Sequence, residues 1–242
     1  MTAVSQSVWT EMDRVGHDAL LAVPVGSMEQ HGPHLPIGTD TLVAAELCAR
    51  LVDRVPEVLV APVIPYGASG EHEGFAGTLS VGATALESLV VELARSAGRW
   101  VRRVVVVNGH GGNVEALGRA GARLRSEGRE VLVWSPRWRA PREHPGVATD
   151  AHAGITETSI VLALRPSLVR REAATAGVVA PLAELWPRLR QAGVRAVSPT
   201  GVLGDPSGAS AELGAALLDE AVDDLVATIA EWPVDGTGRC GS

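Results

Sequence analysis

Four short apolar runs punctuate the first part of the chain: Ala19–Val25 (ALLAVPV), Val58–Ile64 (VLVAPVI), Val101–Val107 (VRRVVVV) and Val131–Trp134 (VLVW). They are rich in valine and lack strict alternation, the pattern of strands covered on both faces. Pro24 and Pro62 interrupt two of them. Proline donates nothing to a ladder, so each is expected near a strand end or a bulge. Apolar residues recur at helical spacing over Thr41–Leu51, Thr84–Ala97, Val114–Ser126, Thr156–Leu164 and Ala209–Ile229, the last strongly amphipathic. Thr84 and Glu87 have the spacing of a capping box. This alternation of strand and helix predicts βαβ units and an α/β fold with a mainly parallel sheet. There is no internal repeat, low-complexity tract or linker.

Composition narrows the function classes. The 242 residues are 46% apolar and 20% charged, as in an ordinary globular chain. With one Phe and one Tyr, core volume falls to Val, Leu and Ala. A net charge of −7 with scattered arginines disfavours a nucleic-acid partner, which requires clustered cations. The densest group, Arg137, Arg139 and Arg142, sits beside Glu143 and reads as a solvated loop rather than an anion site. Cys48 and Cys240 lie far apart, which argues against a disulfide framework and for a reducing compartment. The first sixteen residues lack a basic region followed by an apolar run, and no apolar stretch reaches the roughly 18 residues of a membrane span. A cytoplasmic protein without a membrane partner is expected.

The chemistry gathers behind the strands. GSMEQHGPHLPIGTD follows the first run, YGASGEHEGFAGT the second and NGHGGN the third; TDAHAGITETS follows the fourth after a longer loop. Ligands of open α/β sheets lie beyond the carboxyl ends of the strands. Six of the seven histidines fall in or beside these segments, so the four loops are expected to converge on one rim. Glu29, His31 and Asp40 form E-x-H-x8-D, suitable ligands for Zn, Mn or Fe. The bland reading is that Asp40 or Thr39 caps a helix. His34, stiffened between Pro33 and Pro36, either ligates, orients a carboxylate or bonds the turn; orientation is favoured. His110 is placed to ligate, and Gly111 and Gly112 let backbone amides approach an oxyanion at a helix N-terminus. A phosphate loop is the rival there, but its lysine and spacing are absent.

In DAHAGITETS, His152 suits a general acid or base and Glu157 a ligand in the first turn of a helix, or both merely cap and brace. Glu71, His72 and Glu73 either shape a substrate pocket or form a plain glycine-rich loop. No G-x-S-x-G elbow and no H-E-x-x-H motif is present. A non-catalytic module with a structural metal is disfavoured, because structural sites are usually closed and rich in cysteine.

GSMEQHGPHLPIGTD, NGHGGN and HAGITETS together resemble the creatininase family of metal-dependent amidohydrolases, and GVLGDPSGASAELG extends the resemblance toward the C-terminus. It implies a three-layer α/β/α sandwich, formed by one creatininase-like domain over residues 1–234 with a flexible tail at 235–242. GEHEGFAGTLSVG and PLAELWPRLRQAGVRAVSPTGVLGDPSGAS most resemble the branch that trims a modified precursor peptide during redox-cofactor maturation. That branch implies release of a C-terminal Val-Tyr dipeptide; the alternative is hydrolysis of a small cyclic amide or a formamide. The family implies two divalent ions, Fe or Zn first and Mn next, and a homo-oligomer. Glu29 and His110 would hold one ion, His31 the other, and Asp40 would bridge. His152 would transfer protons. Trp134 and Trp138 are candidates for the pocket wall, with core packing favoured for Trp134. One position departs from the pattern: creatininase carries Glu two residues after the metal-binding His, where this chain has Gly112. Either the second ion binds more weakly or another carboxylate, Glu157 first, completes its site.

Overall fold

The computed structural model describes residues 2–233, so the tail expected at 235–242 lies outside the described residues. In chain order the elements are β1 (Thr2–Ala3), α1 (Trp9–Val15), β2 (Leu20–Val25), α2 (Thr39–Arg54), β3 (Val58–Val60), α3 (Gly82–Ala97), β4 (Arg103–Asn108), α4 (Val114–Ser126), β5 (Glu130–Trp134), α5 (Ile155–Leu164), α6 (Leu182–Val197) and α7 (Ala211–Glu231). The strands form one parallel sheet in the order β1-β3-β2-β4-β5.

Alternate residues of the central strands point to opposite layers, which explains their valine-rich, two-sided burial. Leu20 and Ala22 of β2 with Val105 and Val107 of β4 pack against Leu47 and Leu51 of α2 and Leu217, Leu218 and Leu225 of α7. Leu21, Val23, Val104 and Val106 face the other way, onto Leu86 and Val90 of α3 and Leu117 and Leu124 of α4. Helices therefore cover both faces, giving the three-layer α/β/α sandwich. Each fully buried side chain of this kind contributes about 1.5–3 kcal/mol.

Several boundaries differ from the sequence expectation for identifiable reasons. The second apolar run pairs only over Val58–Val60, because Pro62 cannot extend the ladder. Pro24 lies inside β2, opposite Val107, one residue from the strand end. Its carbonyl accepts from the Ile64 N–H (2.9 Å), on the side where β3 has already ended, so the missing donor breaks no regular ladder. Thr84 and Glu87 form no capping box: α3 begins at Gly82 without a side-chain cap, and Glu87 accepts from Arg119 Nε (2.6 Å). α6 was not expected, since Pro187 and Gly193 interrupt its pattern; the backbone leaves helical geometry at Gly193 (φ 75°, ψ 172°). No helix among the described residues is long and apolar enough to cross a membrane.

Candidate metal centre

The strand order creates the site. From β2 the chain crosses through α2 to β3 on one side; from β3 it crosses through α3 to β4 on the other. The carboxyl ends of β2 and β4 therefore flank a topological switch point, where open α/β sheets bind ligands. The loop after β2 carries Glu29 and His31 and ends in Asp40, in the first turn of α2; the loop after β4 carries His110. Two asparagines of the NGHGGN segment brace the site, one folding its own loop and the other tying it to its neighbours. Asn108 accepts from the His110 N–H (3.1 Å) and donates to its carbonyl (2.7 Å). Asn113 donates to the Gly26 carbonyl (3.0 Å) and accepts from the Ala68 N–H (2.8 Å).

The expected donors meet. Glu29, His31 and Asp40 each offer a ligand atom within 4.8 Å of the others, as do Glu29, His72 and His152, and also His31, His152 and Glu157. Asp40 lies between two imidazoles, with Oδ1 3.0 Å from His31 Nε2 and Oδ2 3.1 Å from His110 Nδ1. Ser27 Oγ donates to Asp40 Oδ2 (2.7 Å), and His31 Nδ1 donates to the Glu29 carbonyl (3.1 Å). Glu157, in the first turn of α5, stands 3.8 Å from both His31 Nε2 and His152 Nδ1. It is steadied by the N–H of Ala153, whose φ of 53° is the positive value of a non-glycine residue in this structure.

Burial and crowded charge shift every group. Burial lifts Glu29 to about 7 against the pull of His110, and lifts Glu157 to about 7 against that of His31. Burial lowers His31 and His110, but the carboxylates outweigh it and bring each to about 10: Asp40 and Glu157 for His31, Glu29 and Asp40 for His110. Burial, then His110 and His31, press His72 to about 3; burial, then His31 and His72, hold His152 well below its usual range. In the metal-free chain, protons on His31 and His110 thus stand between carboxylates.

A cation fits this donor set. Both carboxylate oxygens of Glu29 are buried without a hydrogen bond, although His72 Nε2 and His110 Nε2 stand 3.3 and 3.1 Å away. A buried carboxylate left so is costly unless paired or metal-bound. Glutamate, aspartate and imidazole are donors for Zn, Mn or Fe.

A family model described as creatininase (creatinine amidohydrolase) matches residues 5–229. The chain belongs to the creatininase family. A relative from Mycobacterium ulcerans (strain Agy99), named mycofactocin precursor peptide peptidase, is 51% identical over 220 residues, covering 88% of this chain and 85% of the relative. The creatinine amidohydrolase of Pseudomonas putida is 33% identical over 192 residues, 69% of this chain and 73% of that protein. A crystal structure of creatininase superposes with a TM-score of 0.79 at 30% identity, over 97% of this chain and 99% of that one. Other creatininase structures similar to this chain are described as Mn and Zn–Zn forms. Family membership makes the chain a metal-dependent hydrolase of amide bonds.

Within this creatininase frame, a pocket of about 560 Å³ opens onto the donors. Glu29, Asp40, His72, His110, Gly111, Gly112, His152 and Glu157 all border it, while His31 lies buried next to it. His34 does not reach the pocket. It is buried against α5, bonded through Nε2 to Thr158 Oγ1 (2.9 Å). His144 lies on the long loop after β5 and borders neither pocket nor donors. Trp134 is a core residue bonded to Asp224 Oδ2 (2.8 Å), and Trp138 packs against the same layer, so neither lines this pocket. The wall comes from α6 instead, through Leu182, Trp186, Leu189 and Arg190.

Sequence reasoning also missed Gln30 and Asp150. Gln30 Nε2 donates to His72 Nδ1 (2.9 Å) and the Gly201 carbonyl (3.2 Å). Asp150 accepts from the N–H groups of Ile155 and Thr156, tying down the start of α5 two residues before Glu157. The signal for Gln30 was its place between two candidate ligands; Asp150 stands two residues before His152.

Proposed function

We propose that this chain is a metal-dependent peptidase that releases the C-terminal Val-Tyr dipeptide from the modified mycofactocin precursor peptide. The observation that carries it is the meeting of Glu29, His31, Asp40 and His110 at the β2/β4 switch point, with both Glu29 oxygens buried and unbonded. The half-identical relatives named for that substrate direct the reading to a peptide. A pocket of about 560 Å³, within the usual range of about 300–1,000 Å³ for ligand sites, is roomier than a small cyclic amide needs.

In this reading Glu29, His110 and Asp40 would hold one divalent ion, and His31 and Glu157 with Asp40 would hold the other; Fe or Zn is favoured, with Mn next. Bound ions supply an acidified water and a polarised carbonyl. His152 handles the proton. Its Nε2–H donates to the Gln30 carbonyl (2.8 Å), which leaves the Nδ1 lone pair facing Glu157 and Glu29. Nδ1 takes a proton as water adds to the amide carbon, then passes it to the departing amine as the C–N bond breaks. Glu157 supports this by facing His152 Nδ1, and the amides of Gly111 and Gly112 sit on the turn where the oxyanion would form. We place the enzyme in the cytoplasm as a homo-oligomer; the free, buried Cys48 thiol and the exposed Trp9 support this.

The deciding experiment incubates chelated protein, and protein reloaded separately with Fe, Zn or Mn, with the modified precursor peptide and reads product masses. Release of the dipeptide only after reloading is expected. Release that survives chelation, or turnover of creatinine-like amides in its place, overturns the proposal.

A further inference from the structure

Among the described carboxylates within 4 Å of the site imidazoles, Glu71 is the one that the scheme above leaves without a task. It sits in the turn after β3, and its Oε1 stands 3.7 Å from His110 Nε2, on the pocket side. That is ion-pair range, yet the carboxylate accepts no hydrogen bond among the described residues. Its side chain is 30% exposed, against 0% for Glu29, 3% for Asp40 and 16% for Glu157. The other three carboxylates are packed among imidazoles; of these four, Glu71 faces the cavity most openly.

Its position depends on a glycine. A Cβ built on Gly112 would lie 2.4 Å from Glu71 Oε1 and 2.5 Å from the Ala68 carbonyl. The space a side chain at 112 would enter is therefore already occupied by the Glu71 carboxylate, delivered from a different loop. This is also the position at which the chain departs from the creatininase pattern.

Resting on the peptidase reading, we propose that Glu71 accepts a hydrogen bond from the attacking water and orients it toward the amide carbon. It supplies from the β3 loop a carboxylate that position 112 does not. The role needs an acceptor aimed into the pocket beside His110, which is the feature the geometry provides. Loss of orientation alone reduces turnover by about 100-fold.

The test is Glu71→Ala in metal-loaded enzyme, with Glu71→Gln as the variant that keeps shape and one acceptor oxygen. Steady-state kinetics on the modified precursor peptide are read beside metal content by elemental analysis and thermal stability. Glu71→Ala is expected to lose about 100-fold in kcat at nearly unchanged KM, metal content and Tm. Glu71→Gln should lose less. Added formate, which fits the vacated space, should restore Glu71→Ala at least about tenfold relative to wild type in the same formate, an effect a merely structural role would not give. Wild-type kcat in Glu71→Ala, a loss that tracks missing metal, or a loss that formate leaves untouched overturns the inference. Failure of the wild type itself to release the dipeptide overturns the peptidase reading, and this inference with it.

Discussion

Gln30 grips His152 and His72 at once: its carbonyl accepts from His152 Nε2 at 2.8 Å, and its side-chain amide donates to His72 Nδ1 at 2.9 Å. The side chain is locked, since Oε1 accepts from the Gly32 N–H (2.8 Å) and a Cβ on Gly201 would lie 1.8 Å from that oxygen. Gly201 also has φ +83°, a value that favours glycine. Partners of this kind fix which imidazole nitrogen is free. Gln30→Ala keeps the carbonyl on His152 but removes the amide on His72, and should lower kcat by about 10- to 100-fold while the protein keeps its metal. Kinetics paired with elemental analysis check this, and wild-type turnover would remove Gln30 from the positioning role.

Metal binding should expel protons. In the metal-free chain the carboxylates hold His31 and His110 protonated up to about 10, above their ordinary 6.5. A folded value raised in this way stabilises fully below 6.5, and that stability drains as pH climbs through 10, because the folded chain then holds more protons than the unfolded one. The Tm of chelated protein should therefore fall from pH 7 to 10, and metal-loaded protein should fall less. Calorimetric metal titration in buffers of different ionisation enthalpy should show net proton release at pH 7 and tighter binding as pH rises. Equal heats in all buffers would contradict this.

Asp150 ties down α5. It accepts from the Ile155 N–H (2.5 Å) and the Thr156 N–H (3.3 Å), the first amides of the helix that carries Glu157. Loss of such a cap is worth about 1 kcal/mol. Asp150→Ala should lower urea stability by about that amount and, on the proposed two-ion reading, weaken the ion that Glu157 would hold more than the other, since Glu157 is carried by the frayed turn. Denaturation and metal titration are the measurements; equal weakening of both ions would dissociate Asp150 from Glu157.

Trp186 is 47% exposed on the pocket wall. An exposed indole beside a peptide site reads as a contact for the substrate's apolar or aromatic side chains, worth about 1 kcal/mol. Trp186→Ala should raise KM by about fivefold with a smaller change in kcat. Trp138→Ala, outside this pocket, should leave KM unchanged in the same assay.

The sheet and the donors were legible because both depend on short-range patterns. Valine-rich runs located β2, β4 and β5, and the rule that ligands sit beyond strand ends brought Glu29, His31, Asp40 and His110 together. What failed depended on partners distant in sequence. Pro62 shortened β3 more than its apolar neighbours suggested, and Pro187 and Gly193 concealed α6. Trp134, Trp138 and Trp186 look alike in a sequence; only packing separates two layer residues from the pocket wall. His34 was expected to orient a carboxylate beside the donors, yet its ring turned toward Thr158. Gln30 carries no charge, and its importance appears only once His72 and His152 stand beside it.

The candidate metal donors come from residues 29–110 and 157, whereas much of the cavity wall is built by α6, a segment that begins at Leu182. Hydrolytic machinery and molecular selection are thus encoded in separable stretches of the gene. A lineage can retune what it cuts by rewriting one amphipathic helix, leaving the cutting apparatus untouched, which offers a physical route by which one scaffold came to serve substrates as unlike as a small ring and a peptide tail.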